Sequence, residues 1–115
     1  FTGDSLLVGD VGRPDLHGGD PRAMGRALHA SLERLMALPD HVLVHPSHYG
    51  GSVCGRGLSG NPFSTIGFER RHNRGLAHPD AAAFAEALLA DTPPPPPDQA
   101  AIVAANRAGG IAARA

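Results

Sequence analysis

The sequence contains no lysine and no tryptophan, a single cysteine, four phenylalanines and one tyrosine. Ten arginines against eleven acids leave a formal net charge of −1, so no broad positive field is available to attract nucleic acid or an anionic membrane. One cysteine cannot form an internal disulfide, which favours a cytoplasmic location. No apolar run approaches the roughly 20 residues of a membrane span. These absences predict a cytoplasmic protein that has neither nucleic acid nor a membrane as its partner.

The scarcity of aromatic residues also limits how the chain can fold. The core must be built from Leu, Val, Ile and Ala, and 115 residues are near the lower limit for an α/β domain. The chain starts with phenylalanine, in what resembles the end of a strand. We therefore expect it to be a piece of a longer polypeptide.

The first predicted helix begins at Asp20 and Pro21, because Asp20 can accept hydrogen bonds from free backbone N–H groups and proline suits the first helical position. Pro39-Asp40 ends it, and residues 41–45 (His-Val-Leu-Val-His) predict a short buried strand. Between these limits, apolar residues recur every three or four positions, which is typical of an amphipathic helix: Met24, Leu28, Leu32 and Leu35.

Three more helices are predicted after a glycine-rich stretch that contains Cys54. The first is capped by Asn61 or Ser64 and ends near residues 73–75, the second covers about residues 79–90, and the third extends from Asp98 to Gly109. The run of five prolines at 93–97 must form extended polyproline II. We therefore expect residues 1–92 to form part of one domain, and residues 93–115 a proline-rich linker and terminal helix.

The first 15 residues place three acids, one arginine and three glycines close together. Asp4, in Thr-Gly-Asp, directly follows the expected strand end. Its carboxylate could bind a metal or orient a base, or it could equally form a turn or cap a helix. Asp10 and Asp15 are interpreted as loop formers.

Two histidines flank Pro46 at the end of the predicted strand. Neutral imidazole is the commonest metal ligand, and α/β proteins tend to place their chemistry in loops at strand ends. His45 is interpreted as structural and His48 as the better candidate ligand. The order strand, loop, helix, strand, loop predicts that the loops carrying Asp4 and His48 meet at the same edge of a sheet.

Arg13 and Cys54 are the other candidate site residues. The planar guanidinium of Arg13 suits an anionic substrate group or a neighbouring acid equally well. Cys54 could be a reactive thiol, but no activating neighbour is visible in the sequence, which favours a packed, inert cysteine.

Four motifs appear in order along the chain: FTGDSL at 1–6, GDVGRPDL at 9–16, HPSHYGGSVCG at 45–55 and STIGFERRHN at 64–73. Together they resemble the C-terminal part of metallo-β-lactamase-fold hydrolases, over roughly residues 1 to 107. The resemblance is closest to the persulfide dioxygenase-like branch, which is often fused to a rhodanese domain and is related to glyoxalase II. It implies an α/β fold, specifically the C-terminal part of an αββα sandwich with its metal at one edge of two packed sheets.

The resemblance also implies roles for particular residues. Asp4 matches a metal ligand of the family. His48 matches a ligand of the second metal in two-metal hydrolases, whereas the matching histidine of mononuclear iron dioxygenases is usually not a direct ligand. Arg13 matches an arginine near the thiol carrier of the substrate. The implied cofactor is Fe(II), with Zn²⁺ as the alternative.

The family's His-x-His-x-Asp-His motif is absent, as is the later metal histidine that precedes its Thr-Gly-Asp segment. We therefore expect this chain to hold only part of a metal site. Three functions follow: part of a persulfide dioxygenase, part of a thioester hydrolase of the glyoxalase II kind, or a non-catalytic remnant or interaction module. Half a sandwich would expose an apolar sheet face, which predicts self-association, and the resemblance implies a rhodanese domain or partner.

Overall fold

The computed structural model describes residues 1–16, 18–49 and 59–109. In this part of the chain short strands alternate with helices, and a single 3₁₀ turn at Arg74–Leu76 follows the second helix. The strands are β1 (Leu6–Leu7), β2 (Asp10–Val11), β3 (Leu43–Val44) and β4 (Ser64–Thr65), and the helices are α1 (Pro21–Met36), α2 (Ile66–His72), α3 (Ala81–Ala90) and α4 (Gln99–Arg107).

Strands β1 and β2 form an antiparallel hairpin that pairs Leu6 with Val11 and Leu7 with Asp10. The sequence predicted a loop here. The hairpin forms because Gly9 lies between the two strands, and its φ of +86° is in the left-handed region that favours glycine. All four strand residues are buried, so the hairpin belongs to the core.

Strands β3 and β4 form a second antiparallel pair, with Leu43 opposite Thr65 and Val44 opposite Ser64. The start of the chain joins this sheet through a parallel bridge between Gly3 and Pro46. The predicted strand at 41–45 is thus confirmed in a shorter form, but its predicted burial holds only for Val44, because Leu43 is exposed. The predicted meeting of the two loops at one sheet edge is confirmed as well.

Helices α1 and α3 pack closely against each other over the hairpin. A Cβ atom added at Gly25 would lie 2.9 Å from the Cβ of Ala85, so glycine allows the two helices to approach. The predicted cap of α1 is confirmed, since Asp20 accepts from Arg22 N–H at 3.0 Å. Asp80 caps α3 and accepts from Ala83 N–H at 2.9 Å, whereas the expected cap at Asp98 is wrong, because its side chain makes no capping hydrogen bond. The core formed between these elements consists of Leu6, Val11, Leu32, Val44, Ile66, Phe84 and Leu88.

The cap of α2 differs from the prediction. Thr65 accepts a hydrogen bond from Phe68 N–H at 3.2 Å, whereas Asn61 or Ser64 was expected in this place. Ser64 lies in β4 and donates instead to the carboxylate of Glu69. The reason is that strand pairing continues to Thr65 and leaves that residue at the helix boundary.

The proline stretch and α4 follow, and no residue of α4 is buried. Two hydrogen bonds tie this segment to the loop after β2: Arg13 donates to Pro93 O at 2.7 Å, and Gln99 donates to Leu16 O at 2.7 Å. The domain boundary at residue 92 stays a prediction. Across the described ranges, no helix combines the length and apolarity needed to cross a membrane.

Candidate metal centre

Asp4 and His48 lie side by side at the edge of the β3–β4 sheet. His48 Nδ1 is 2.9 Å from Asp4 Oδ1, and the two side chains are 38% and 53% exposed. Backbone pairing brings them together, since Thr2 N–H donates to His45 O at 3.0 Å and Ser47 N–H to Gly3 O at 3.1 Å. The two predicted metal ligands are therefore close enough to act in one site.

Ser47 lies between these two side chains. Its hydroxyl donates to Asp4 Oδ1, and its oxygen is 2.9 Å from His48 Nδ1. Nothing in the sequence singles out Ser47, because a serine between two histidines carries no signal of its own. Only the pairing of two segments more than 40 residues apart shows its contact with the carboxylate.

The backbone around Asp4 is fixed from the hairpin side. Gly12 leaves no room for a side chain, because a Cβ atom there would lie 1.9 Å from the carbonyl oxygen of Asp4. Gly12 N–H also donates to Ser5 O at 3.2 Å, and the Thr2 hydroxyl to Leu6 O at 2.7 Å. The loop that presents Asp4 is thus supported directly by the buried hairpin.

A buried carboxylate, that of Glu69, supports the hairpin in turn. Glu69 is fully buried and accepts three hydrogen bonds, from Gly9 N–H at 2.7 Å, the Ser64 hydroxyl at 2.7 Å and the Asn73 amide at 2.9 Å. It therefore connects β4, the hairpin turn and the end of α2. Nothing in the sequence indicates this role for Glu69, although the residue lies within the STIGFERRHN motif.

Asn73 and Asp10 extend this network. The Asn73 amide donates to Leu7 O at 3.2 Å and to Asp10 O at 2.9 Å, while its own oxygen accepts from Gly75 N–H at 2.8 Å. Asp10 Oδ2 is 3.1 Å from the guanidinium of Arg74. The interpretation of Asp10 as a loop former is wrong, because Asp10 is a fully buried residue of β2.

Arg13 lies next to the site in sequence, but its side chain is only 2% exposed. It forms a two-pronged pair with Asp15, at 3.1 and 2.8 Å, and also donates to Pro93 O. This hydrogen-bonded pair with Arg13 lowers the pKa of Asp15 below its ordinary value, against a smaller opposing effect of burial. Asp15 is thus one partner of Arg13. The contact of Arg13 with substrate stays a prediction.

The donors present fit one part of a metal site. A carboxylate and an imidazole suit iron or zinc, but such centres use at least three protein ligands. Among the described residues, no group of three or more His, Cys, Asp and Glu side chains converges. Cys54 lies outside the described residues. His45 is exposed and its ring centroid is 5.6 Å from that of Phe1 and 6.2 Å from that of Phe63, in agreement with a structural role.

Comparison with solved structures identifies the fold. A metallo-β-lactamase from Staphylococcus aureus superposes with a TM-score of 0.76 at 36% identity, covering 87% of this chain and 28% of the other. ETHE1 from Myxococcus xanthus superposes with a TM-score of 0.70 at 35% identity, covering 94% of this chain and 43% of the other. The chain has the metallo-β-lactamase fold. The short sheets and helices described here match a part of that fold, and their place at its C-terminal end stays a prediction.

No family model matches this metallo-β-lactamase-fold chain. Curated relatives include an uncharacterized protein of Mycobacterium leprae, 37% identical over 63 residues, and one of Mycobacterium tuberculosis, 36% identical over 63 residues. Each match covers 55% of this chain, and it spans 28% and 27% of the length of the two relatives.

Proposed function

We propose that the chain provides part of the metal centre of a persulfide dioxygenase with the metallo-β-lactamase fold. The observation that carries this proposal is the contact between Asp4 and His48, which matches the positions of the family's Thr-Gly-Asp and Pro-x-His motifs. The four ordered motifs favour the persulfide dioxygenase branch. The two solved relatives are named as a metallo-β-lactamase and as ETHE1. The fold alone therefore does not determine which reaction the protein catalyses.

In this proposal Asp4 is the carboxylate ligand of Fe(II), and the other ligands come from residues beyond those described. When bound, iron would supply the redox chemistry that lets O₂ oxidise the outer sulfur of a thiol persulfide, after which water would cleave the S–S bond to give sulfite and the thiol. Asp4 is suited to this role because it is 53% exposed and its loop is fixed by the hairpin below it.

The orientation of His48 favours a site for one metal. Its Nδ1 is directed at Asp4 Oδ1, so the imidazole can orient the ligand carboxylate without itself binding the metal. This arrangement fits the iron dioxygenases, in which the matching histidine is usually not a ligand. The cytoplasmic location and the rhodanese domain or partner stay predictions.

A thioester hydrolase of the glyoxalase II kind is the second candidate. The Nε2 atom of His48 takes part in no hydrogen bond with the described residues, which leaves it available to a second metal. In that enzyme Asp4 would bridge two zinc ions, whose chemistry is the activation of a water. The third candidate is a non-catalytic remnant. It is considered because no group of three or more candidate metal ligands converges among the described residues.

The test is oxygen consumption by the protein expressed from its whole gene. With glutathione persulfide and Fe(II), we expect oxygen uptake with formation of sulfite and glutathione, and little cleavage of a glutathione thioester. Thioester cleavage with zinc and without oxygen uptake would favour the hydrolase instead. Absence of both reactions in a correctly folded, metal-loaded protein would favour the remnant.

A further inference from the structure

Ser47 matches no metal ligand of the family, and the proposed reaction gives it no chemical role. Its hydroxyl nevertheless contacts both candidate ligands, Asp4 and His48. Backbone pairing places the loops that carry Asp4 and His48, but it leaves rotation about their side-chain bonds free. Both side chains are substantially exposed, at 53% and 38%, so packing does not fix them. Besides the direct contact of the two side chains at 2.9 Å, the Ser47 hydroxyl touches both of them and holds them together.

The hydrogen-bond pattern also determines where the imidazole carries its proton. The Ser47 hydroxyl donates its proton to Asp4 Oδ1, so its oxygen offers only lone pairs to other groups. His48 Nδ1 lies 2.9 Å from that oxygen and 2.9 Å from Asp4 Oδ1. A bare Nδ1 would face the lone pairs of two oxygens. The proton is therefore favoured on Nδ1, which leaves Nε2 with the lone pair.

The same geometry argues against a nucleophilic role for the serine. In a Ser-His-Asp triad the hydroxyl bonds to Nε2 and the carboxylate to Nδ1, on opposite sides of the ring. Here the hydroxyl and the carboxylate share Nδ1, and the hydroxyl donates to the carboxylate. The imidazole therefore does not serve as the base that would activate Ser47.

We propose that Ser47 is a positioning residue, whose hydroxyl joins Asp4 to His48 and keeps the imidazole in the tautomer with its proton on Nδ1. That the joined groups belong to a metal centre rests on the function proposed above. A second group that orients a metal-binding carboxylate or histidine commonly changes metal affinity by about 10- to 100-fold. Ser47 is expected to act in that range.

The test compares Ser47→Ala and Ser47→Thr with the control Ser31→Ala. In the wild type the hydroxyl of Ser31 donates only to Ala27 O, on the exposed face of α1. Long-range ¹⁵N–¹H spectra of the metal-free protein, with neutral imidazole, report the His48 tautomer. Titration with Co²⁺ of the protein expressed from its whole gene reports metal affinity.

In the wild type we expect one dominant tautomer, with the proton on Nδ1. Ser47→Thr keeps a hydroxyl at this position and Ser31→Ala leaves the position unchanged, so both variants should show the same tautomer. In Ser47→Ala the exposed Asp4 and His48 side chains lose the hydroxyl that joins them and should separate, so we expect a mixture of tautomers and Co²⁺ binding about 10- to 100-fold weaker. An unchanged tautomer, or an unchanged affinity, in Ser47→Ala would overturn the positioning role. Wild-type protein that binds no metal would overturn the proposed function instead, and the tautomer spectra would still decide the hydrogen-bond role of Ser47.

Discussion

At the scale of single residues, the candidate site and the buried network both depend on contacts between side chains that are distant in the chain. Asp4 and His48 were selected because their motifs resemble metal-binding ones, and the structure places them 2.9 Å apart. Ser47 and Glu69 were not selected. Both residues form hydrogen bonds with partners that are distant in the chain. No local sequence pattern predicts that an acid such as Glu69 will be fully buried among three hydrogen-bond donors.

Glu69 should be one of the most important residues for stability. Glu69→Ala leaves the Gly9 N–H, the Ser64 hydroxyl and the Asn73 amide without their carboxylate partner, and we expect a loss of about 3 kcal/mol or more in the free energy of unfolding. Urea denaturation followed by circular dichroism measures it. The control is Glu86→Ala, which removes an exposed pair with Arg22 and should change stability little. Equal effects of the two substitutions would contradict the network.

At the scale of elements, helices were predicted better than strands. Helix α1 was predicted from its cap and its apolar period, and α3 from its Pro79-Asp80 start, because these signals are local. The strands have only two residues each, too short for an alternating pattern to be recognised. Their pairing depends on tertiary contacts, and for this reason the β1–β2 hairpin was missed.

The Arg13–Asp15 pair links the loop after β2 to the proline segment and should depend on pH. Because Arg13 lowers the pKa of Asp15 in the folded state, the pair stabilises the fold when pH is above the ordinary carboxyl value, and this contribution is lost as pH falls through the lowered one. Wild type should therefore exceed Asp15→Asn in stability by a constant amount above about pH 5, and by less below about pH 4. Urea midpoints across this pH series test it; a difference independent of pH would contradict the role of the pair.

At the scale of the whole molecule, the ordered motifs were sufficient to predict the metallo-β-lactamase fold, which the two solved relatives support. Apolar side chains remain exposed in and beside the β3–β4 sheet, with Leu43 at 55%, Phe63 at 56% and Phe68 at 47%. This agrees with the open face expected of half a sandwich, while self-association itself stays a prediction. The fold alone does not determine the reaction, since one fold supports several chemistries.

We propose above all that Asp4 binds a metal, and metal content tests this proposal most directly. Iron and zinc should be measured in the protein expressed from its whole gene, in the wild type, in Asp4→Ala and in the control Asp98→Ala, which removes an exposed carboxylate that makes no capping hydrogen bond at α4. We predict about one iron per chain in the wild type and the control, and a loss of most of it in Asp4→Ala. Equal metal content in a folded Asp4→Ala protein would contradict the account.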